Sequence, residues 1–495
     1  MSQLSLSRLA ARGSAPCDLL VIGGGIVGAG VARDAALRGL RILLVEQSDF
    51  ASGTSSRSSR LLHGGLRYLG QGRLGLVWEA STEKMRLRRL APHLSEPLPF
   101  YFPVWKGDPW PRWMLSAGVL VYGLLCGGRN LGSPASYGRR GMLRQAPGLR
   151  PEGLTGGVRY FDALTNDARL AIDTLRSASL AGAEVLNYTS FESAAESRGG
   201  WTCRLRDRIG GGEAQIRARV VVNAAGAWAA GFPQSDLRLR LTKGVHLVID
   251  RARLPVEGAV VLSEGPRILF VIPWGERAIL GTTDTDYTGD PAAVRTGAAD
   301  IDYILKVVNR GFPNAALGPE DVISAWAGIR PLIAPRHEAA GAPSDISRAH
   351  VIRMPQPGWF DIAGGKLTTY RRMAEQAVDR AGRFLKAGLP RSATARFPLL
   401  ESAEVRYSGV LPPPVECAVV EHCCRREWVV HLDDLLLRRT SWHYYHARDR
   451  NVAELASQWA AGELGWSEDC RRAELERYFR TAEFWPRLES GTNAP

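Results

Sequence analysis

Apolar and polar positions along the first fifty residues change period in a telling order. Asp18–Ile22 is a short apolar run that reads as a strand, Gly23-Gly24-Gly25-Ile26-Val27-Gly28 turns the chain, and Ile26–Arg38 reads as a helix. Arg41–Val45 is a second strand with Glu46 at its end. The alternation continues further on. Asn166–Leu180 reads as a helix entered through the cap Asn166-Asp167, and Arg217–Ala225 is a β-branched run that ends in small residues, Ala224-Ala225-Gly226. Trp359–Ala363 is a strand leading into Gly364-Gly365, and Thr368–Leu385 is the helix after it. Strand signals at Val245–Ile249, Ile268–Ile272 and Ala278–Gly281 lie between these pieces. Together they predict an α/β fold whose first unit is discontinuous in sequence. No internal repeat is visible.

The strand–turn–helix–strand at the start has a physical reading. Gly23 permits the tight turn, Gly25 lets backbone amides approach a pyrophosphate, and Gly28 lets the helix pack closely on the strand. The free amides and dipole of the helix N-terminus then favour phosphate, and Glu46 is placed to accept hydrogen bonds from a ribose. This unit is expected to bind a dinucleotide. The hydroxyl-rich run Ser52–Arg60 follows, with Thr54, Ser55 and Ser59 able to bond phosphate or ribitol oxygens, and then His63-Gly64-Gly65-Leu66-Arg67-Tyr68, whose glycines Gly64 and Gly65 allow close approach to a planar ligand.

One apolar stretch does not fit this alternation. Met114–Cys126 is uncharged and is preceded by Trp110 and Trp113. It is too short to span a bilayer, which takes ~20 apolar residues. A buried helix or hairpin is favoured over an interfacial segment anchored by its indoles.

Composition narrows the classes. The 495 residues suffice for a large core, and 45% hydrophobic content argues for a globular chain rather than disorder. The formal charge of +13 comes from scattered basic residues without a zinc-finger or RNA-binding signature, so nucleic acid is not expected as a partner. A solvated basic surface is the plain reading, and attraction to anionic lipid the more specific one. Only six basic residues are lysines, which draws attention to Lys243 and Lys366. Seven cysteines, an odd number widely spaced in the first half, argue against a disulfide framework and for a reducing compartment. Cys417, Cys423 and Cys424 lack the spacing of a metal site, so no metal is expected. Residues 1–16 are polar and basic without an apolar core, so no secretory signal is expected there.

Several blocks carry a resemblance. With the N-terminal stretch, Asp162–Leu170 (DALTNDARL), Val221–Trp228, Leu241–His246 (LTKGVH), Gly281–Pro291 (GTTDTDYTGDP), Ala327–Leu332 (AGIRPL) and Gly364–Arg371 (GGKLTTYR) occur in order over about the first four-fifths of the chain. They resemble the FAD-dependent, aerobic-type glycerol-3-phosphate dehydrogenases of the glycine and D-amino-acid oxidase group. The resemblance implies FAD as cofactor and a Rossmann-like FAD-binding domain with an interleaved substrate-binding β-sheet domain. Together these would occupy 16–395, with FAD segments at about 16–84, 161–237 and 346–390 and substrate segments at about 85–160 and 238–345. A shortened helical C-terminal domain would fill 396–495, and its divergence leaves monomer or homodimer open.

For the chemistry, the resemblance implies glycerol 3-phosphate as substrate, a membrane quinone as acceptor, and a cytoplasmic enzyme held peripherally on the inner face of the plasma membrane. His246 is the expected base and Arg330 faces the substrate at either its phosphate or its C2 oxygen. Lys366 and Arg67 are the expected phosphate cations, with Lys366 alternatively placed to stabilise reduced flavin. Tyr68, Thr282 and Thr283 are expected neutral donors to substrate, while Ala225, Gly226, Gly365, Leu367 and Thr368 complete the flavin contacts. An amino-acid or amine oxidase of the same group is the alternative. A carboxylate needs mainly one arginine, whereas a phosphate dianion favours several cations.

Overall fold

The computed structural model describes residues 16–69, 72–125, 131–265, 267–334 and 349–481, together with Leu6. Among the described residues before 400, six helices run twelve residues or more: α1 (Ile26–Leu37), α2 (Leu74–Leu90), α3 (Arg112–Leu125), α4 (Asp167–Leu180), α5 (Ala298–Gly311) and α6 (Tyr370–Phe384).

Two sheets organise the chain. The first runs in the order Val351–Gln356, Trp359–Ala363, Glu213–Asn223, Cys17–Ile22, Ile42–Val45, Glu184–Leu186. Its central neighbours are parallel, and a hairpin of Thr189–Ser197 and Gly200–Asp207 extends it through the N-terminal half of Glu213–Asn223. The fully buried strand Leu19-Leu20-Val21 lies between parallel neighbours, as expected for a strand covered on both faces. α1, α4 and α6 cover one face through small and branched side chains: Ala29, Ala32, Ile172, Leu175, Ala374 and Ala377 share one core with Leu19 and Val21. Close packing explains Gly30, where a Cβ would come within 2.9 Å of the Tyr370 ring.

The second sheet is larger and mostly antiparallel. Its long strands are Glu96–Trp105, Leu154–Leu164, Leu239–Asp250 and Val322–Ile333, and Leu239–Asp250 pairs with Val322–Ile333 over nearly its full length. α5 presents Ile301, Ile304, Leu305 and Val308 to the core that contains Val245, Leu247 and Ile249. The strand Leu154–Leu164 crosses the boundary drawn from sequence at residue 160, and Leu61–Leu62 joins this sheet rather than the first. Sheet pairing, which depends on a partner strand, decides both points.

Beyond residue 400 the longer elements are helical: Cys417–Arg426, a π-helical turn Asp434–Arg439, Arg450–Leu464 and Glu468–Thr481. Buried ion pairs bind this region to the rest. Glu427 accepts from Arg169 Nη1 and Nη2 at 2.6 and 2.8 Å, and Asp49 accepts from Arg439 at 2.6 and 2.7 Å as well as from Arg438. Burial alone would push the Glu427 carboxyl up, but the Arg169 guanidinium outweighs it and holds the group well below the usual carboxylate range.

The stretch Met114–Cys126 departs from expectation. Its described part lies in α3, where only Val119 and Tyr122 are buried; Cys126 lies outside the described residues. Trp113 is 73% exposed and Leu124 76%, while Trp78 of α2 is 58% exposed. Among the described residues, α3 has no element covering this apolar side. No helix among the described residues is long and apolar enough to cross a membrane.

Candidate active site

A large cavity of about 1120 Å³ lies against both sheets. Typical small-molecule sites run ~300–1000 Å³, so there is room for a dinucleotide and a small second substrate.

Its first end is built from the N-terminal turn. Gly23 has φ +107°, and a Cβ on it would approach the Ala224 carbonyl oxygen to 2.7 Å. A Cβ on Gly28 would sit 1.9 Å from the Gly23 carbonyl oxygen, so only glycine fits there. α1 starts at N-cap Gly25, with no acidic residue in its first turn to compete with phosphate. Both Glu46 oxygens hold the turn, accepting from Gly24 N at 2.8 Å and Ser48 N at 3.0 Å. Burial pushes the Glu46 carboxyl up and these bonds oppose it. Glu46 still lines the cavity, and each carboxylate oxygen keeps acceptor capacity. Ala225, Gly226, Gly365 and Leu367 line the same space. Glycine cradle, open helix terminus and terminal acid fit the adenosine pyrophosphate half of FAD.

The hydroxyl run is more committed than expected. Ser55 Oγ accepts from Ile26 N at 2.9 Å, Thr54 Oγ1 donates to Ile329 O at 2.6 Å, and Ser59 Oγ shares a 2.8 Å hydrogen bond with His246 Nε2. Thr54, Ser55 and Ser59 remain on the cavity wall. Gly64 and Thr368 do not line the cavity. The Gly64 amide donates to Tyr122 Oη and Asp162, and Thr368 Oγ1 is clipped to the His63 backbone. Both therefore hold the turn before Tyr68 instead of facing a ligand.

The second end gathers the polar groups. His246 lies in a strand beside Trp326, its ring stacked at 5.2 Å and 20°. Its pKa is pushed down to about 3, first by burial and then by Arg330 and Arg60, so the ring is neutral throughout the physiological range. Its Nδ1 is buried and has no hydrogen-bond partner among the described residues. Arg60 is itself buried under aromatic faces, 4.4 Å from the Trp274 centroid and 5.2 Å from that of Trp326. Arg330 donates to Thr282 Oγ1 at 2.8 Å, to Thr283 O at 3.2 Å and to Asp284 at 3.3 Å. Gly244 makes room for it, since a Cβ there would lie 2.2 Å from Nη2. Lys366 Nζ rests 3.9 Å from the Tyr68 ring centroid. His246, Arg330, Lys366, Tyr68 and Thr282 all border the cavity.

Two expectations change at this end. Thr283 is buried and its hydroxyl accepts from Val245 N at 3.0 Å, which makes it a strand-pinning residue and not a donor to substrate. Lys243 pairs with Asp300 at 2.6 Å and does not border the cavity. Arg67 sits in the 3-10 turn Leu66–Tyr68, but its side chain lies outside the described residues. Arg57, Asp162, Arg267 and Asp284 line the cavity without having been singled out. Arg57, Asp162 and Asp284 stand inside the sequence motifs, where spacing alone does not say which residues turn inward.

The third side of the cavity is apolar. Phe100, Phe102, Trp110, Leu115, Val121 and Phe270 line it, so it reaches the inner side of α3. No cluster of histidine, cysteine and acidic side chains able to hold a metal exists among the described residues.

Comparison with known proteins agrees with this geometry. The family model described as FAD dependent oxidoreductase matches residues 18–371. Glycerol-3-phosphate dehydrogenase 2 of Mycobacterium bovis is 43% identical over an alignment that covers 95% of this chain and 89% of that protein. The aerobic glycerol-3-phosphate dehydrogenase of Staphylococcus aureus is 39% identical, covering 74% of this chain and 67% of that one. Among solved structures, glycerol-3-phosphate dehydrogenase from Bacillus halodurans complexed with FAD superimposes with a TM-score of 0.74 at 29% identity, covering 96% of this chain and 97% of that chain.

Proposed function

The chain belongs to the FAD dependent oxidoreductase family, with glycerol-3-phosphate dehydrogenases as relatives over nearly its whole length, and from that premise we propose that it oxidises sn-glycerol 3-phosphate to dihydroxyacetone phosphate and passes the electrons to a lipid-soluble quinone. The observation that carries this reading is one continuous cavity that joins the dinucleotide turn to Lys366, Arg330 and His246. Gly23, Gly25, Gly28 and Glu46 would hold the adenosine pyrophosphate, with Thr54, Ser55, Ser59 and the backbone around Gly65, Gly226 and Gly365 along the rest of FAD. When bound, the flavin supplies a two-electron hydride acceptor.

The protein's own groups do the remaining work. Lys366, together with Arg67, attracts the phosphate dianion, while Arg330 meets developing charge on the C2 oxygen. Thr282 and the two neighbouring carbonyl and carboxylate acceptors fix the Arg330 guanidinium, so little reorganisation is needed as charge develops. His246, hydrogen-bonded through Nε2 to Ser59 on the cavity wall, is the candidate acceptor of the C2 hydroxyl proton. Burial is the larger cause of its low basicity, and the substrate's phosphate would offset only the part that comes from Arg330 and Arg60. Arg57, Arg267, Arg330 and Lys366 all line the cavity, and several cations favour a phosphate dianion over an amino-acid carboxylate. Assay of purified holoenzyme with a short-chain quinone tests the reading. Glycerol 3-phosphate should yield dihydroxyacetone phosphate and reduced quinone in equal amounts. Turnover of amino acids instead would replace it by the oxidase alternative.

The acceptor dictates location. A quinone lives in the bilayer, and the exposed Trp113, Leu120 and Leu124 of α3 with Leu74 and Trp78 of α2 form an apolar face beside the cavity's apolar side. α3 contains no acidic residue, and Arg112, Arg139 and Arg140 are exposed near its start. That combination suits insertion into an anionic lipid surface, with each basic residue contributing about 1 kcal/mol near it. We therefore place the enzyme peripherally on the inner face of the plasma membrane. Co-sedimentation with phosphatidylglycerol vesicles checks this. Protein left wholly in the supernatant at low salt would refute it.

A further inference from the structure

The two helices that carry the apolar face each send one polar side chain inward to the same acceptor. Lys84 of α2 donates from Nζ to Asp162 Oδ1 at 2.7 Å and to Phe161 O at 3.2 Å. Tyr122 of α3 donates to the same Asp162 oxygen at 2.5 Å. The Gly64 amide completes the cluster, 2.9 Å from Tyr122 Oη and 3.2 Å from Asp162 Oδ1. Lys84 and Tyr122 are fully buried and Asp162 is 2% exposed. Space around Gly64 is fixed as tightly as its bonds, since a Cβ there would sit 2.3 Å from Tyr122 Oη and 2.5 Å from Ser81 Oγ.

Gly64 leads directly into the substrate end of the cavity. Gly65 follows with φ +81°, and a Cβ on it would meet the Tyr68 ring at 2.4 Å and Lys366 Nζ at 3.1 Å. A displacement of Gly64 therefore moves the turn that carries Tyr68 against Lys366. Neither Gly64 nor Tyr122 borders the cavity, so they reach a ligand through this turn and through Asp162, which does line it.

The position of α3 is weakly fixed from within. Only Val119 and Tyr122 of its fourteen residues are buried, and its other polar ties, Arg112 to Tyr137 O and Ser116 to Ser136, are exposed. Few buried apolar contacts and exposed hydrogen bonds mark an element of low local stability. Lipid around Trp113, Leu120 and Leu124 supplies the burial that water does not.

We propose that Tyr122 is a positioning residue that couples seating of the α2–α3 face on a membrane to the arrangement of Tyr68 and Lys366 in the active site; the inference rests on the membrane reading given above. On a bilayer, α3 holds the Tyr122 hydroxyl against Asp162 and Gly64, and the turn is set for substrate. Away from it, α3 moves, the Tyr122 bond opens part of the time, and the turn loosens. Lipid then acts as an activator and not only as an anchor.

Tyr122→Phe tests this, because it keeps the ring and removes only the hydroxyl. Full-length FAD-loaded wild type and variant would be assayed for dye-linked oxidation of glycerol 3-phosphate, with and without phosphatidylglycerol vesicles, and vesicle binding measured by co-sedimentation. Wild type should be stimulated roughly fivefold, the change that one net hydrogen bond can bias. Tyr122→Phe should bind vesicles as wild type does but lose more than half of that stimulation, with the loss in KM for substrate as well as kcat. Equal stimulation of both proteins would overturn the proposal. So would wild type that binds vesicles without any stimulation, although the membrane reading would then survive. Failure of wild type to bind vesicles would remove the reading and the inference together. Should the variant fail to fold, Lys84→Met enters the same assay, and failure of both would make the cluster purely structural and overturn the proposal.

Discussion

The N-terminal βαβ unit and the segment Glu427–Tyr445 both border the candidate site's supporting structure, yet they are held by different physics. In the first, sterics decide: a Cβ at Gly28 would overlap the Gly23 carbonyl oxygen, and apolar strands bury themselves between parallel neighbours. In the second, charges decide. Glu427 pairs with Arg169, Asp49 with Arg438 and Arg439, and Ser441 Oγ accepts from Arg60, which the Tyr444 ring also covers. Steric constraints of the first kind are local, and they shape the surface that faces a ligand. Buried ion pairs of the second kind join parts of the chain far apart in sequence, and losing one partner strands a charge.

The sharpest way to break the comparison is Glu427→Ala. It leaves the Arg169 guanidinium buried without its main partner and should cost about 3–5 kcal/mol in unfolding free energy by urea titration. A loss below ~1 kcal/mol, the range of surface pairs, would show that the C-terminal segment is held some other way. The same pairs predict acid sensitivity. The folded-state pKa values of Glu427, Asp49 and Asp173 are depressed by Arg169, Arg438 and Arg439 against burial, so their stabilisation is complete above the unfolded carboxylate range. It is lost as pH falls below about 4.5.

Arg330→Ala comes next. Removing a held donor to developing oxygen charge should lower kcat/KM by about 3 kcal/mol of transition-state stabilisation while FAD content stays intact. Unchanged kcat/KM would take Arg330 out of the reaction.

What could be read in the sequence follows the same division. Glycine positions, the strand Trp359–Ala363 and the Asn166 cap, whose side chain accepts from Arg169 N, depend on neighbours in sequence. They were legible. Asp162 and Arg60 were not, because their roles come from partners on other elements: Lys84 and Tyr122 for one, Trp274 and Tyr444 for the other. The apolar stretch of α3 misled for a related reason. Apolar pattern predicts burial, but it does not say whether protein or lipid does the burying.

Smaller effects sharpen the picture. Leu124→Asp places a charge on the exposed face and should weaken vesicle binding by about 1–3 kcal/mol, leaving activity without lipid unchanged. Unaltered co-sedimentation would exclude α3 from the membrane contact. For His246, burial and the Arg330 and Arg60 cations hold the pKa at about 3, far below the unfolded 6.5. The folded ring therefore does not titrate between pH 5 and 8. Its cost to stability appears only as pH falls below about 6.5, where the unfolded chain takes up the proton. A profile of kcat/KM against pH should show no His246-dependent inflection near 6.5, and His246→Ala should lower the rate at every pH without changing the shape. An inflection in wild type that disappears in His246→Ala would mean the ring is solvated.

Anaerobic titration of the purified yellow protein asks most directly whether the cavity joins FAD to a phosphorylated alcohol. Glycerol 3-phosphate should bleach the flavin band stoichiometrically, amino acids should leave it unchanged, and Arg330→Ala should slow the bleaching without reducing bound FAD. Bleaching by an amino acid, or a band that survives excess glycerol 3-phosphate, would contradict the assignment.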